Sequence, residues 1–203
     1  MNSSVAAIVA AAGLSRRMGS CKQLLDLGGK SALARCLETL LVGGVGEIVT
    51  VVGGNGVAVA VEAGRFPVRI VVNPDPDGDM ASSLRIGCAA LSTGASAVII
   101  ALCDYPLVLP ATIASLIQTH AAEPDRIIIP CHGDQRGHPL LFPRTVLEEL
   151  REGLTLRDLV RSDPGRLTCI AVIDPGILSD MDTPEDYRRL CRLLPVMVGY
   201  SSV

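Results

Sequence analysis

The sequence predicts an α/β fold, a three-layer α/β/α sandwich around a mostly parallel, Rossmann-like sheet. Stretches patterned as strands alternate with stretches patterned as helices, which implies parallel strands joined by right-handed crossovers. The strand stretches are near-continuous apolar runs, as burial on both faces of a sheet demands. Four loops at 13–22, 53–55, 73–79 and 104 follow such strands, and ligands of open α/β sheets bind beyond the carboxyl ends of the strands.

Residues 5–13 are an uncharged apolar run, too short to span a membrane, that delivers the loop G-L-S-R-R-M-G-S-C-K (13–22). Gly28 and Gly29 make a turn, and Ser31 caps a helix in which Leu33, Cys36, Leu37, Leu40 and Leu41 share one stripe. Residues 47–52 (E-I-V-T-V-V) form a β-branched strand closed by Gly53 and Gly54. Residues 55–63 are expected to be helical despite their valines. Residues 68–72 form the third strand, closed by N-P-D-P-D-G-D (73–79), and a helix begins at Met80 or Ala81 and reaches about residue 91. The next buried strand, 97–102, stops at C-D-Y-P (103–106), and Pro110 suits the first turn of a helix reaching His120. Residues 126–130 and 138–142 are expected as strands joined through 131–137. A helix over 144–151, a short one over 156–161, a strand over 167–173 and a helix over 184–194 follow. The tail 195–203 carries no functional signal.

At 203 residues the chain is expected to form one domain over 1–203 with a substantial core. A hydrophobic content of 49% with 19% charged residues excludes disorder. With two Phe, three Tyr and no Trp, that core must be built from Val, Ile, Leu and Ala. A net charge of −3 gives no general electrostatic case for nucleic acid or an anionic membrane. No signal peptide is read at the amino end. Seven cysteines without a C-x-x-C pair suit reduced cytoplasmic thiols better than a disulfide frame or a zinc site.

Chemistry concentrates in the first loop. Its glycines admit positive φ and close approach of backbone to a ligand, unpaired N–H groups in such a turn form an anion-binding hollow, and Arg16, Arg17 and Lys22 add charge. Polyphosphate is the guest this suits, although the spacing from Gly13 to Gly19 and Lys22 fits neither the Walker pattern nor G-x-G-x-x-G. A surface turn with solvated cations has the same composition. Asp104 arrives at a sheet rim, and Asp182 lies just before a helix that it or Thr183 can cap. Each aspartate alone fits a cap or a solvated turn. Together with a phosphate loop they suit Mg²⁺, which takes one or two carboxylates plus phosphate oxygens and waters.

A-A-A-G-L-S-R-R-M-G-S-C-K-Q-L-L (10–25), C-D-Y-P (103–106) and D-M-D-T-P-E-D-Y (180–187) resemble, in order and separation, the three signatures of the molybdenum-cofactor nucleotidyltransferases, MobA-like NTP transferases. N-P-x-x-x-G-x-M-x-S-S-L-R-x-G (73–87) and R-G-H-P-L-L-F (136–142) resemble the cytidylyltransferase branch, which moves CMP from CTP to molybdopterin-bound molybdenum with release of pyrophosphate. The resemblance covers about 5–190 and implies a sheet of the nucleotidyltransferase type.

By that resemblance Gly13, Arg17 and Lys22 hold the triphosphate, with Ser15 and Gly19 completing the loop and Ala12 marking the CTP-using branch. Lys22, Arg17 and Asp104 are then the catalytic set, and Asp104 and Asp182 the magnesium ligands. Gly78, Ser82 and Ser83 belong to the base-recognising loop, with Arg85 facing the same cleft. His138 and Tyr105 are candidates for acceptor binding, and a structural role suits His138 equally. Cys103 and Tyr105 depart from the Gly and Met that flank the family's aspartate. The implied partners are CTP and molybdenum cofactor, with transient contact to a molybdoenzyme or its chaperone, in the cytoplasm. The alternatives are a GTP-using or other small-phosphate nucleotidyltransferase, a non-catalytic cofactor-delivery module, and a dinucleotide-dependent oxidoreductase, the last weakened by the missing G-x-G-x-x-G.

Overall fold

The structure, a computed structural model, describes residues 4–13, 15, 18–54, 56–75 and 78–200, the last six of them by backbone alone. Its strands are β1 (Ser4–Ala11), β2 (Glu47–Gly53), β3 (Arg69–Asn73), β4 (Ala95–Leu102), β5 (Ile127–His132), β6 (Gln135–Arg136), β7 (Leu140–Pro143) and β8 (Leu167–Ala171). Its helices are α1 (Ala32–Val42), α2 (Val57–Ala63), α3 (Met80–Ala90), α4 (Pro110–Ala122), α5 (Arg144–Leu147), α6 (Leu156–Ser162) and α7 (Pro184–Tyr200).

All strands join one sheet in the order β3-β2-β1-β4-β7-β5, with β8 and the short β6 both on β5. Strands β3, β2, β1 and β4 are mutually parallel. Strand β7 runs antiparallel to both β4 and β5, and β8 is parallel to β5. The sheet is therefore mostly parallel, as expected, with β7 and β6 reversed.

Alternation along β1 shows why its run is continuous. Val5, Ala7, Val9 and Ala11 face a core shared with α1, α2 and α4, and Ala6 and Ile8 face one shared with α3, α5 and α6. Strand β4 divides in the same way, Ala97, Ile99 and Ala101 against Val98 and Ile100. Three layers follow from two buried faces. Helix α3 lies so close to β1 that a methyl at Gly87 would sit 2.8 Å from Ile8 Cγ2. That close packing sets α3 against the sheet, and its amino end, Asp79 and Met80, reaches a hollow at the carboxyl edge.

Helix starts follow local capping chemistry. Ser31 Oγ accepts from the Ala34 N–H at 3.0 Å, and Asp79 Oδ1 accepts from the Ser82 N–H at 2.7 Å. Helix α4 has no cap of its own. The buried Asp174, 65 residues away, accepts from the Leu109 N–H at 2.8 Å and from Thr112 Oγ1 at 2.6 Å.

Some boundaries differ from expectation. The helix expected over 144–151 ends at Leu147, because the ladder tightens from Glu148 N→Arg144 O to three-residue turns at Glu149 and Leu150. Strand β5 continues to His132 because Gly133, at φ 57°, turns the chain back into β6. Strand β8 stops at Ala171 rather than 173, and α7 continues from 194 to Tyr200. No helix among the described residues is long and apolar enough to cross a membrane.

Candidate active site

The loops that follow β1, β2, β3 and β4 meet over one edge of the sheet, around two adjoining hollows of about 1020 Å³ and 260 Å³. The larger is lined by Ala12, Gly13, Ser15, Gly19, Gly53, Gly54, Gly56 and Gly78, among others. The smaller is walled by Lys22, Asp104, Gly78, Asp79 and Ser83. Small residues make the room. A methyl at Gly53 would sit 3.2 Å from the Ala12 carbonyl oxygen, and one at Gly56 would sit 2.9 Å from that of Gly53.

The phosphate-type loop is tied in on itself. Ser15 takes a left-handed φ of 50°, uncommon outside glycine, and Gly19 one of 66°. The Met18 N–H closes a turn on the Ser15 carbonyl at 2.9 Å, and the Lys22 N–H donates to Ser15 Oγ at 3.1 Å. Arg17, assigned to the triphosphate, lies outside the described residues, as does Arg16.

Lys22, Asp104 and Asp182 converge. The Lys22 ammonium donates to Asp104 Oδ2 at 2.7 Å and to Asp182 Oδ1 at 3.0 Å, joining residues 82 and 160 positions distant in sequence. Asp104 is presented by the turn after β4, where Cys103 is buried and the Tyr105 N–H bonds the Leu102 carbonyl. Asp182 is presented by burial of its neighbour. Met181 is fully buried with Leu27, Leu107, Leu190 and Leu194, which turns the flanking aspartates outward. Thr183 and Asp186 make the reciprocal cap of α7, Asp186 Oδ2 accepting from the Thr183 N–H at 2.9 Å. The cap role thus falls to Thr183.

Electrostatics follow from this packing. Burial is the largest influence on Lys22 and lowers its pKa. The charges and hydrogen bonds of Asp104 and Asp182 together outweigh it, so the ammonium is held above the ordinary lysine value. Tyr105 is pushed up to about 12, first by burial and then by Asp180, Asp104 and Asp182, and stays protonated at neutral pH. Cys103 is pushed up by its hydrogen bond with Cys36 and by burial, which makes it a packing thiol.

The donor set fits a hard divalent cation. Among the described residues Asp104 Oδ1 is shielded from solvent with no hydrogen-bond partner, its sister oxygen already faces a cation, and the candidate donors are carboxylate oxygens. Among the described residues no group of three or more His, Cys, Asp or Glu gathers to hold a metal. Two carboxylates suit an ion that draws its other ligands from phosphate and water.

The remaining assignments sort by location. Ser83 lines the smaller hollow, but its hydroxyl accepts from Asn73 Nδ2 at 3.0 Å. Ser82 lines neither hollow; its N–H is capped by Asp79, and its hydroxyl lies 3.3 Å from Asn73 Nδ2. Arg85 is half-buried, has a shielded Nη1 without a partner among the described residues, and lines neither hollow. Tyr105 and His138 pack against each other, with ring centroids 4.7 Å apart and planes tilted by 38°, beside a separate cavity of about 20 Å³. Burial holds His138 below the ordinary histidine value, with Asp104 and Asp180 partly offsetting it.

Two organising residues carry no role in the motif reading. Asn73, 1% exposed at the end of β3, ties the Ser82 and Ser83 hydroxyls to the Asp75 N–H. Gln23, 3% exposed, donates from Nε2 to the Ala11 and Gly13 carbonyls at 3.1 and 2.8 Å. Its Oε1 accepts from Ser15 Oγ and Cys21 Sγ, both at 3.2 Å. A glutamine followed by two leucines in K-Q-L-L was the available signal, since a polar amide beside apolar neighbours asks for buried partners.

A sheet in the order 3-2-1-4, with a cationic glycine loop and two acids at its carboxyl edge, is the arrangement of a nucleotidyltransferase. The chain belongs to the MobA-like NTP transferase domain family, whose model matches residues 7–166. That span includes Lys22 and Asp104 and ends before Asp182. Among curated relatives, a nicotine blue oxidoreductase of Paenarthrobacter nicotinovorans is 32% identical over 92% of this chain and 96% of its own length. A molybdenum cofactor cytidylyltransferase of Escherichia coli is 26% identical over 91% and 94%. A nucleotidyl transferase from Methanothermobacter thermautotroptrophicus superposes with a TM-score of 0.83 at 25% identity, over 95% of this chain and 98% of that one. The protein Rv0371c of Mycobacterium tuberculosis superposes at 0.81 with 30% identity, and in a complex with manganese at 0.77 with 28%. Both of these superpositions cover 95% of this chain and all of the other.

Proposed function

We propose that this nucleotidyltransferase moves CMP from CTP to the phosphate of molybdenum cofactor and releases pyrophosphate. The observation that carries the reading is the meeting of Lys22, Asp104 and Asp182 at the wall of a two-part hollow. The match to a molybdenum cofactor cytidylyltransferase supports the acceptor, and the motifs at 73–87 and 136–142 support CTP over GTP.

In this reading a terminal oxygen of the acceptor's phosphate monoester attacks the α-phosphorus of CTP. A new P–O bond forms as the bond to the β-phosphate's bridging oxygen breaks, and pyrophosphate leaves with that electron pair. The attacking oxygen is already anionic, so the protein need not remove a proton. Its tasks are alignment and suppression of repulsion between anions. The larger hollow, with its glycine and alanine walls, takes base and ribose, and the loop from Gly13 to Lys22 takes the phosphates. Lys22 supplies positive charge to the departing pyrophosphate, a role the motif gives to Arg17 as well. Asp104 and Asp182 would hold Mg²⁺, which when bound polarises the phosphoryl oxygens. Tyr105 and His138, packed against each other, are assigned to the acceptor side.

A second reading is favoured by the relative named nicotine blue oxidoreductase, whose identity and coverage exceed those of the cytidylyltransferase. The same hollow would then hold a nicotinamide dinucleotide. Incubating the protein with molybdenum cofactor, Mg²⁺ and CTP or GTP, and measuring pyrophosphate and the dinucleotide formed, tests the transferase. Loss of NADH or NADPH absorbance with a reducible dye, without pyrophosphate release, would replace it with the second reading.

A further inference from the structure

Among the described residues, the carboxamide of Gln23 joins both ends of the anion loop at once. Its two N–H groups reach Ala11 and Gly13, where β1 gives way to the loop. Its oxygen reaches Ser15 and Cys21 further along. Ser15 Oγ in turn accepts from the Lys22 N–H, so the amide is one bond removed from the residue that carries the ammonium. All four hydrogen-bonding positions of the amide are used, which leaves none for a ligand. At 3% exposure Gln23 has almost no surface to offer one, although it forms wall in both hollows.

We propose that Gln23 is a positioning residue for nucleotide binding: its carboxamide holds Gly13, Ser15 and Cys21 in fixed relation to the end of β1, and so sets where the backbone at Gly13 and Ser15 and the Lys22 ammonium present themselves to phosphate. This rests on the reading of the hollow as a nucleotide site. Ser15 in a left-handed conformation is a strained choice for a residue with a side chain, and the Gln23 and Lys22 bonds to its hydroxyl are what hold it there.

Gln23→Glu separates positioning from simple support, because it keeps size and shape and the acceptor oxygen. It replaces the N–H₂ group with an oxygen that, when ionised, faces two carbonyl oxygens. A buried carboxyl without a cationic partner titrates well above its usual value of about 4.3. On protonation it regains one donor for the Ala11 or Gly13 carbonyl. Binding of CTP and of inorganic pyrophosphate is measured by calorimetry for wild type, Gln23→Glu and Gln23→Leu, with thermal unfolding recorded for each. Gln23→Glu is expected to bind both probes about tenfold to thirtyfold more weakly near pH 8, and to close on wild type as pH falls to about 6. Gln23→Leu is expected to bind weakly at every pH. Wild type that binds both probes while Gln23→Glu matches it at every pH overturns the positioning role alone. Wild type that binds neither probe overturns the nucleotide reading and this role with it.

Discussion

Replacing Lys22 with methionine keeps the stem and removes the ammonium that now holds two carboxylates together. The side chains of Lys22, Asp104 and Asp182 are 16%, 20% and 28% exposed, so the trio lies between two regimes. An exposed pair is worth about 0–1 kcal/mol, and stranding one partner of a buried pair costs about 3–5 kcal/mol. About 2 kcal/mol is expected for Lys22→Met, a fall in melting temperature of about 4–8 °C for a chain of this length. Because the ammonium's two partners are carboxylate oxygen donors, Mg²⁺ or Mn²⁺ should recover part of that loss in the variant and add little to wild type. Turnover should fall about a hundredfold or more, with or without the cation's effect on melting. Thermal unfolding with EDTA and then with added cation, beside a pyrophosphate-release assay, checks all three. A variant that melts with wild type, or gains no more than wild type from the cation, refutes the reasoning. The sign with pH is also fixed. A lysine raised on folding contributes fully below its unfolded value of about 10.5 and loses that contribution as pH climbs through the native value. The gap between wild type and Lys22→Met should therefore be flat through neutrality and narrow in strong alkali.

Asp104→Ala should lose about a hundredfold in turnover while keeping its circular dichroism spectrum, since the residue sits in the turn after β4 without filling the core; full activity would remove the role given to it. Asp174→Ala should cost about 3 kcal/mol in urea unfolding, because it strands the Leu109 N–H, the Gly176 N–H and the Thr112 hydroxyl while leaving the hollows intact. A variant as stable as wild type would show that water replaces that carboxylate. His120 and His138 are both held below the usual histidine value by burial, partly offset by Asp125 in one case and by Asp104 and Asp180 in the other. The unfolded chain then binds more protons, so stability should drop as pH falls from about 6.5 toward the lower native values. His120→Gln should flatten that slope in thermal unfolding measured across the range.

Architecture was legible because its signals are local and repeated. The runs at 47–52 and 97–102 are apolar enough to demand burial on both faces, and Ser31 and Pro110 mark helix starts by chemistry that acts within one turn. The reversed β7 was not legible, since strand direction depends on which edge the chain returns to, and L-L-F-P reads alike either way. The convergence of Lys22 with Asp104 and Asp182 was anticipated from motif order, but the ammonium lies directly between the acids. Sequence had assigned it to phosphate and the acids to the metal. The network of Gln23 was hidden for a different reason: its partners are mostly backbone carbonyls and hydroxyls, groups that nearly every stretch of chain possesses. Asn73 is similar, a side chain whose role appears only when β3 and α3 are placed side by side.

The long reach from Lys22 to Asp182 has a consequence for how the molecule comes into being. During synthesis the strands that frame the hollow, β3, β2, β1 and β4, have all been made once residue 102 has left the ribosome, and amino-terminal portions generally fold first. The second acid arrives only when Met181 docks against Leu27 and Leu107. A nascent chain thus makes the strands of its cradle early and receives its last charge late, so a polypeptide stalled or clipped near residue 170 would carry those strands yet lack Asp182, half of the acidic pair.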